Sequence, residues 1–184
     1  MDTWMWFVLV AAAIAVVALI AWATSRSRRT AGLRDQFGPE YDRTVERTDS
    51  RREAEAELAA RRERRKELDI RPLTPAARDR YHQAWIEVQA RFVDQPATSL
   101  READMLVTRL MRERGYPMDD FGQRVADVSV DHPRVVEHFR AAQGISGKTE
   151  SNGASTEELR QGLVHYRMLF EELLEVDPAG RRRE

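Results

Sequence analysis

The sequence predicts an all-α fold with an N-terminal transmembrane helix, a long charged helix and a small antiparallel helical bundle. One observation is that apolar residues after position 74 recur three or four positions apart, which marks one buried face of a helix. A second is the helix punctuation, such as Thr74-Pro75 at a start and Gly115 at an end. The third is that no stretch of useful length alternates between apolar and polar residues, as a half-buried strand would.

Residues 3–25 form the predicted transmembrane helix. The run holds no ionisable side chain and is almost entirely apolar. About 20 such residues, rising about 1.5 Å each in a helix, cross a hydrocarbon core of about 30 Å. Trp4 and Trp6 near one end and Trp22 near the other lie where indole rings prefer the membrane interface. The sequence therefore predicts a single-pass protein of the cell membrane.

The charges that flank this run predict its orientation. Asp2 precedes the run, whereas Arg26, Arg28 and Arg29 follow it. Because basic residues stay on the cytoplasmic side, the N-terminus is predicted outside and the C-terminal domain in the cytoplasm. The alternative is a cleaved signal peptide ending at the small-x-small site of residues 21–23, but such a peptide begins with positive charge.

Residues 26–39 are predicted to form a basic juxtamembrane hinge, and residues 40–70 a charged helix. Gly38 and Pro39 end a helix that leaves the membrane, because proline lacks a backbone N–H and disfavours helical geometry in the residue before it. The segment that follows has no Gly or Pro and is rich in helix-forming Ala, Glu and Arg. Its basic run at 61–66 is interpreted as a solvated helix face, since a glutamate is interleaved and no aromatic ring is present to stack on nucleic-acid bases.

The helical bundle domain is predicted over residues 74–176, with a polar tail over residues 177–184. Residues 144–154 are rich in Gly and Ser and lack apolar periodicity, which predicts a flexible loop inside the domain. Ser155 and Glu158 have the spacing of a capping box, so the last helix is predicted to begin there.

The composition excludes several classes of site. The 184 residues include 30 basic and 31 acidic side chains, and this balance does not suit a strongly basic nucleic-acid-binding protein. The absence of cysteine excludes disulfides, a thiol nucleophile and a thiolate metal site. The sequence contains no nucleophile-elbow, zinc-protease or phosphate-loop motif, and no two of its four histidines are three or four residues apart. We therefore expect no catalytic residue, no metal and no cofactor.

Three segments are denser in special residue types than turns require, and they predict a surface for a protein partner. These are residues 94–96, 114–117 and 129–133. The predicted patch comprises Arg91, Asp94, Arg114, Tyr116, Asp131 and His132.

Four segments also carry a resemblance to a known group of proteins. They are residues 37–43 (FGPEYDR), 91–96 (RFVDQP), 114–117 (RGYP) and 129–133 (SVDHP). With them the chain resembles, over nearly all of residues 33–175, an uncharacterised family of bacterial proteins with one membrane span and a helical domain. The resemblance implies the same anchored helical architecture, and the family has no assigned activity, ligand or catalytic residue to carry over.

These observations predict a membrane-tethered cytoplasmic helical interaction module, non-enzymatic and with an unidentified protein partner. No nucleic-acid partner is expected, and the sequence identifies no small-molecule substrate. The first alternative is a small-ligand or metal-binding domain that uses His138 or His165 in the bundle interior. The second is an extracytoplasmic envelope protein, which would require the opposite orientation in the membrane.

Overall fold

The computed structural model describes residues 3–151 and 153–175. Within these ranges all regular secondary structure is helical, which confirms the predicted all-α class. Asp2 and the predicted polar tail at 177–184 lie outside the described residues. The described helices are α1 Thr3–Phe37, α2 Pro39–Arg47, α3 Arg51–Glu67, α4 Pro75–Arg91, α5 Pro96–Arg114, α6 Phe121–Asp131, α7 Val136–Glu150 and α8 Thr156–Glu175.

The chain forms two compact units, Met1–Leu58 and Ala59–Glu184, and the boundary between them falls inside α3. In the first unit, the N-terminal part of α1 carries large apolar side chains that are exposed. They are Trp4, Trp6, Phe7, Val10, Ile14, Val16, Val17, Leu19 and Ile20. Over the described residues alone, none of the helices combines the length and the apolar character that crossing a membrane requires.

The C-terminal part of α1 belongs to a small core within the first unit. Leu33, Phe37, Tyr41, Ala54 and Leu58, which come from α1, α2 and α3, are buried.

Helix α1 ends where the sequence predicts an interruption. Gly38 has φ 49°, a conformation that glycine adopts readily, and Pro39 occupies the first position of α2. Residues 26–37, predicted as part of a hinge, are instead helical, because no residue in that segment interrupts the helix before Gly38. The change of direction is therefore confined to one residue.

The charged segment 40–70 is two helices rather than one. The backbone is extended at Thr48, and the Ser50 hydroxyl accepts a hydrogen bond from the backbone N–H of Glu53 at 3.2 Å, which caps α3. Thr, Asp and Ser stand together at 48–50, and each offers the backbone side-chain hydrogen bonds that compete with helix continuation.

The second unit has its core between α4, α5, α7 and α8, with α5 in contact with the other three. Trp85 of α4 stacks on Phe170 of α8 with 4.7 Å between ring centroids. The helix starts follow the predicted chemistry: the Thr74 side chain accepts from the backbone N–H of Ala77, and Ser155 caps α8.

Helix α7 is longer than the sequence predicts. Residues 144–150, expected to be loop, continue the helix, and the connection to α8 begins at Ser151. Ile145 packs against the core and Thr149 is buried, so this stretch gains tertiary contacts that offset the low helix propensity of Gly144 and Gly147. Both glycines lie on the exposed face of the helix.

Candidate functional site

The six residues of the predicted partner patch lie in two separate places. Arg91 and Asp94 are exposed at the junction of α4 and α5, where Arg91 Nε lies 3.0 Å from Glu102 Oε2. The other four lie at or beyond the C-terminal end of α5, a helix of 19 residues and therefore about 27 Å long. The structure does not bring the six together.

The four remaining residues form part of a largely buried polar network. Arg65 Nε and the Tyr116 hydroxyl both donate to Asp131 Oδ2, the second at 3.5 Å. Tyr116 is 3% exposed, and burial together with the charge of Asp131 holds the pKa of its phenol above the ordinary value. The network joins α3, α6 and the turn after α5.

Arg114 and His132 attach this network to α8. The Arg114 side chain is 1% exposed and its Nη1 donates to the backbone carbonyl of Leu173 at 2.7 Å. This hydrogen bond stabilises α8, because carbonyls in the last turn of a helix lack partners within the helix and carry partial negative charge that attracts a cation. His132 Nδ1 lies 3.3 Å from Glu172 Oε1. Because Arg114, Tyr116 and His132 are buried, their role is to position helices, and they offer little surface to a partner.

Three arginines of the basic run of α3, Arg61, Arg64 and Arg65, contact α6 or the turn before it, whereas Lys66 is exposed and pairs with Glu63. Arg64 donates from Nη2 to Asp119 Oδ2 at 3.0 Å and from Nε to Asp127 Oδ1 at 3.2 Å. Arg61 donates to the Ser129 hydroxyl at 3.3 Å. The sequence does contain a signal for this docking. Arg61 and Arg65 are four apart on α3, and Asp127 and Asp131 are four apart on α6, so each pair lies along one side of its helix.

Two histidines that the sequence leaves far apart meet between α7 and α8. His138 Nδ1 and His165 Nδ1 are 2.9 Å apart, a hydrogen bond in which one ring donates and the other accepts. Burial, together with the neighbouring His138, lowers the pKa of His165. Among the described residues no group of three or more His, Cys, Asp or Glu could hold a metal ion. The pair would offer an ion two ligands.

An open pocket of about 590 Å³, which no sequence motif predicts, lies between α5 and α6. Arg109, Arg112 and Arg124 line it, together with Asp104, Met105 and Thr108. The local signal on α5 is the spacing of Met105, Thr108, Arg109 and Arg112, which lie on one side of a helix. No local pattern indicates Arg124, because it comes from a different helix.

Comparison with known proteins adds no family assignment. No protein-family model matches the chain, and no curated protein or solved structure matches it significantly.

Proposed function

We propose that the protein is a membrane-anchored helical interaction module, in which the N-terminal part of α1 spans the bilayer and the second unit binds a protein partner in the cytoplasm. The structure on its own identifies no membrane-spanning helix among the described residues. Support for the anchor comes from the sequence of residues 3–25 together with the exposure of those large apolar side chains that the structure describes there.

The observation that carries the proposal is the apolar, uncharged surface of α1. Ile14, Val17 and Leu19 are 64–66% exposed although no ionisable residue lies within 3–25. Surface of this kind is unfavourable in water, at about 25 cal/mol per Å², and favourable in hydrocarbon. A bilayer would cover it without requiring another protein chain.

In this proposal the second unit binds a partner and does not catalyse a reaction. Its polar network between α3, α5, α6 and α8 consists of buried or ion-paired groups that hold helices together. Tethering to a membrane raises the effective concentration of such a domain for a membrane partner. The exposed candidate residues Arg91 and Asp94, with the 84% exposed Val93 between them, are the part of the predicted patch that a partner could contact.

The anchor is tested by placing charge in the middle of the apolar run of the full-length protein. Each arginine near the bilayer centre costs about 2.5–3.5 kcal/mol, so Ile14→Arg combined with Val17→Arg should move the protein from the membrane pellet to the soluble fraction after alkaline extraction. The matched control is Val93→Arg, which adds charge at an exposed apolar residue of the second unit. A wild-type protein that is itself extracted at alkaline pH would contradict the anchor.

The orientation is tested by a topology reporter fused after Glu184. A cytoplasmic reporter is expected to be active, and changing Arg26, Arg28 and Arg29 to glutamate should invert part of the population. An active periplasmic reporter on the wild-type protein would overturn the cytoplasmic assignment and favour the envelope alternative.

The partner is sought by crosslinking in native membranes. Arg91→Glu combined with Asp94→Arg reverses the charges at the α4–α5 junction, and a crosslink that depends on this surface should be lost. Arg160→Glu, at an exposed position on α8, is the control for a change of charge elsewhere on the unit. A crosslink that the junction variant keeps, or that the control loses equally, would contradict a contact at the α4–α5 junction.

A further inference from the structure

The pocket between α5 and α6 has the charge of an anion-binding site. Its lining holds three arginines and one aspartate, a formal net charge of +2. Among the described residues, Arg109, Arg112 and Arg124 form no ion pair, whereas Arg64, Arg65 and Arg80 of the same unit do. Because the cations outnumber the one carboxylate of the lining, the potential in the pocket is positive.

The single aspartate of the lining is already engaged. Asp104 Oδ1 accepts from the Tyr166 hydroxyl at 2.8 Å and from Gln143 Nε2 at 3.0 Å. Both donors are neutral and belong to α8 and α7, so Asp104 forms its hydrogen bonds with the helices behind the pocket rather than with the arginines. Burial and the charge of Asp104 raise the pKa of Tyr166, which keeps its phenol protonated as a donor.

One arginine of the pocket carries an unsatisfied donor. Arg124 is half-buried, and its Nε is buried without a hydrogen-bond partner in the described part of the chain. Its guanidinium carbon lies 5.9 Å from the centre of the Phe121 ring, a contact that helps to fix the side chain. Because Arg124 lines the pocket, an anion there would supply acceptors to the accessible part of its guanidinium.

Size and chemistry both point to a phosphate group. A pocket of about 590 Å³ lies within the range of small-ligand sites, roughly 300–1,000 Å³. Three guanidiniums and the Thr108 hydroxyl offer more donors than a single carboxylate accepts, whereas a phosphate monoester presents three terminal oxygens and up to two negative charges. Met105, which is 53% exposed in the lining, provides an apolar surface for the rest of the ligand.

We propose that the pocket formed by Arg109, Arg112 and Arg124 with Thr108 binds a phosphate monoester. The ester is either a soluble phosphorylated compound or the headgroup of an anionic lipid. This inference does not depend on the membrane anchor or on a protein partner, so the failure of either leaves it standing.

The test is calorimetric titration of the full-length protein in a mild neutral detergent. The probes are glycerol phosphate as a soluble ester, short-chain phosphatidic acid as a lipid ester, and acetate as a carboxylate. Saturable binding of a phosphate ester is expected, with acetate at least about 10-fold weaker because it accepts fewer hydrogen bonds. Affinity should fall as salt is added, since the attraction is screened.

Variants locate the binding. Arg109→Gln and Arg112→Gln remove exposed side chains that form no ion pair among the described residues, so the fold should be retained, and each should weaken binding about 10-fold through loss of a charge-assisted contact. The matched control is Arg101→Gln on the same helix, an exposed residue that donates to Thr98 and lies outside the pocket. Far-ultraviolet circular dichroism before titration checks that each variant is folded.

Each result has one meaning. Binding of glycerol phosphate that the pocket variants weaken supports a soluble ligand, and binding of phosphatidic acid alone with the same variant pattern supports a lipid headgroup. The proposal is overturned if neither ester binds, if acetate binds as tightly, or if Arg101→Gln reduces affinity as much as the pocket variants do.

Discussion

Replacing Gly115 by alanine is expected to destabilise the second unit by about 3 kcal/mol. Gly115 follows the last residue of α5 and has φ 95°, a conformation that side-chain-bearing residues rarely adopt. A Cβ built on its backbone would lie 2.3 Å from the carbonyl oxygen of Asp69. The Asp69 carbonyl cannot easily move away, because a hydrogen bond holds the backbone two residues later: the N–H of Arg71 donates to the carbonyl of Arg114 at 2.8 Å.

The magnitude follows from two costs and one gain. Placing alanine in a left-handed conformation costs about 1–2 kcal/mol, and forcing the backbone of residue 69 away costs about 1–3 kcal/mol. Alanine also restricts the unfolded chain, which returns about 0.4–1 kcal/mol of stability. The net loss is therefore about 3 kcal/mol.

The matched control is Gly144→Ala in α7. A Cβ at residue 144 meets nothing within 4 Å, and the residue lies inside a helix on its exposed face. Alanine there should stabilise the protein by about 0.5–1 kcal/mol, because glycine lowers helix stability by that amount. The control also tests whether residues 144–150 are helical in solution.

The assay is denaturant unfolding of the full-length protein in a mild detergent, followed by far-ultraviolet circular dichroism at the helix band. The free energies of unfolding of Gly115→Ala, Gly144→Ala and wild type are compared under one set of conditions. A Gly115→Ala variant as stable as the wild type would refute the reasoning about the left-handed turn. No stabilisation by Gly144→Ala would mean that α7 ends earlier than described.

Three further predictions concern charge and pH. Burial and the hydrogen bond to Glu113 raise the pKa of Tyr81 to about 12. The stability that this phenol contributes is therefore complete below about pH 10 and should be lost as the pH rises through 12. In denaturation midpoints measured over this range, Tyr81→Phe should show a smaller loss than the wild type. Burial and the neighbouring His138 lower the pKa of His165. The contribution of His165 to folding stability is therefore complete above about pH 6.5 and is lost as the pH falls. Between about pH 7 and 5, the thermal unfolding midpoint of His165→Asn should depend less on pH than that of the wild type. Asp131→Asn should lower the free energy of unfolding by about 2 kcal/mol. This is less than the loss expected for a fully buried ion pair, because 15% of the Arg65 side chain and 19% of the Asp131 side chain are exposed. A double-mutant cycle with Arg65→Met should show that the two residues are energetically coupled.

For the predicted partner patch, residue types in the sequence indicated which segments lie together in part, but they did not indicate which residues are buried. Residues 94–96, 114–117 and 129–133 were grouped because each is rich in special residue types, and the last two do meet through Tyr116 and Asp131. Composition does not report burial, however. Arg114 and His132 lie inside the unit because α8, far along the chain, supplies their acceptors Leu173 and Glu172.

The charged helix illustrates a second limit. The segment 40–70 has a composition that favours helix, and most of it is helical. Its docking depends on carboxylates more than 50 residues away, such as Asp119 and Asp131, so the same arginines would be solvated in isolation. The interruption at 48–50 depends instead on local side-chain hydrogen bonds, and it could have been anticipated from Ser50 as a capping residue.

What the sequence determined by itself is the set of properties that depend on near neighbours. The all-α class, the break at Gly38-Pro39 and the capped starts of α4 and α8 follow from periodicity and capping, which act over a few residues. The tertiary structure alone decided the contacts between distant segments: the helical state of 144–150, the His138–His165 pair and the arginine-lined pocket. These depend on which faces of different helices pack together, and the free energy of that packing comes from residues that are far apart in the sequence.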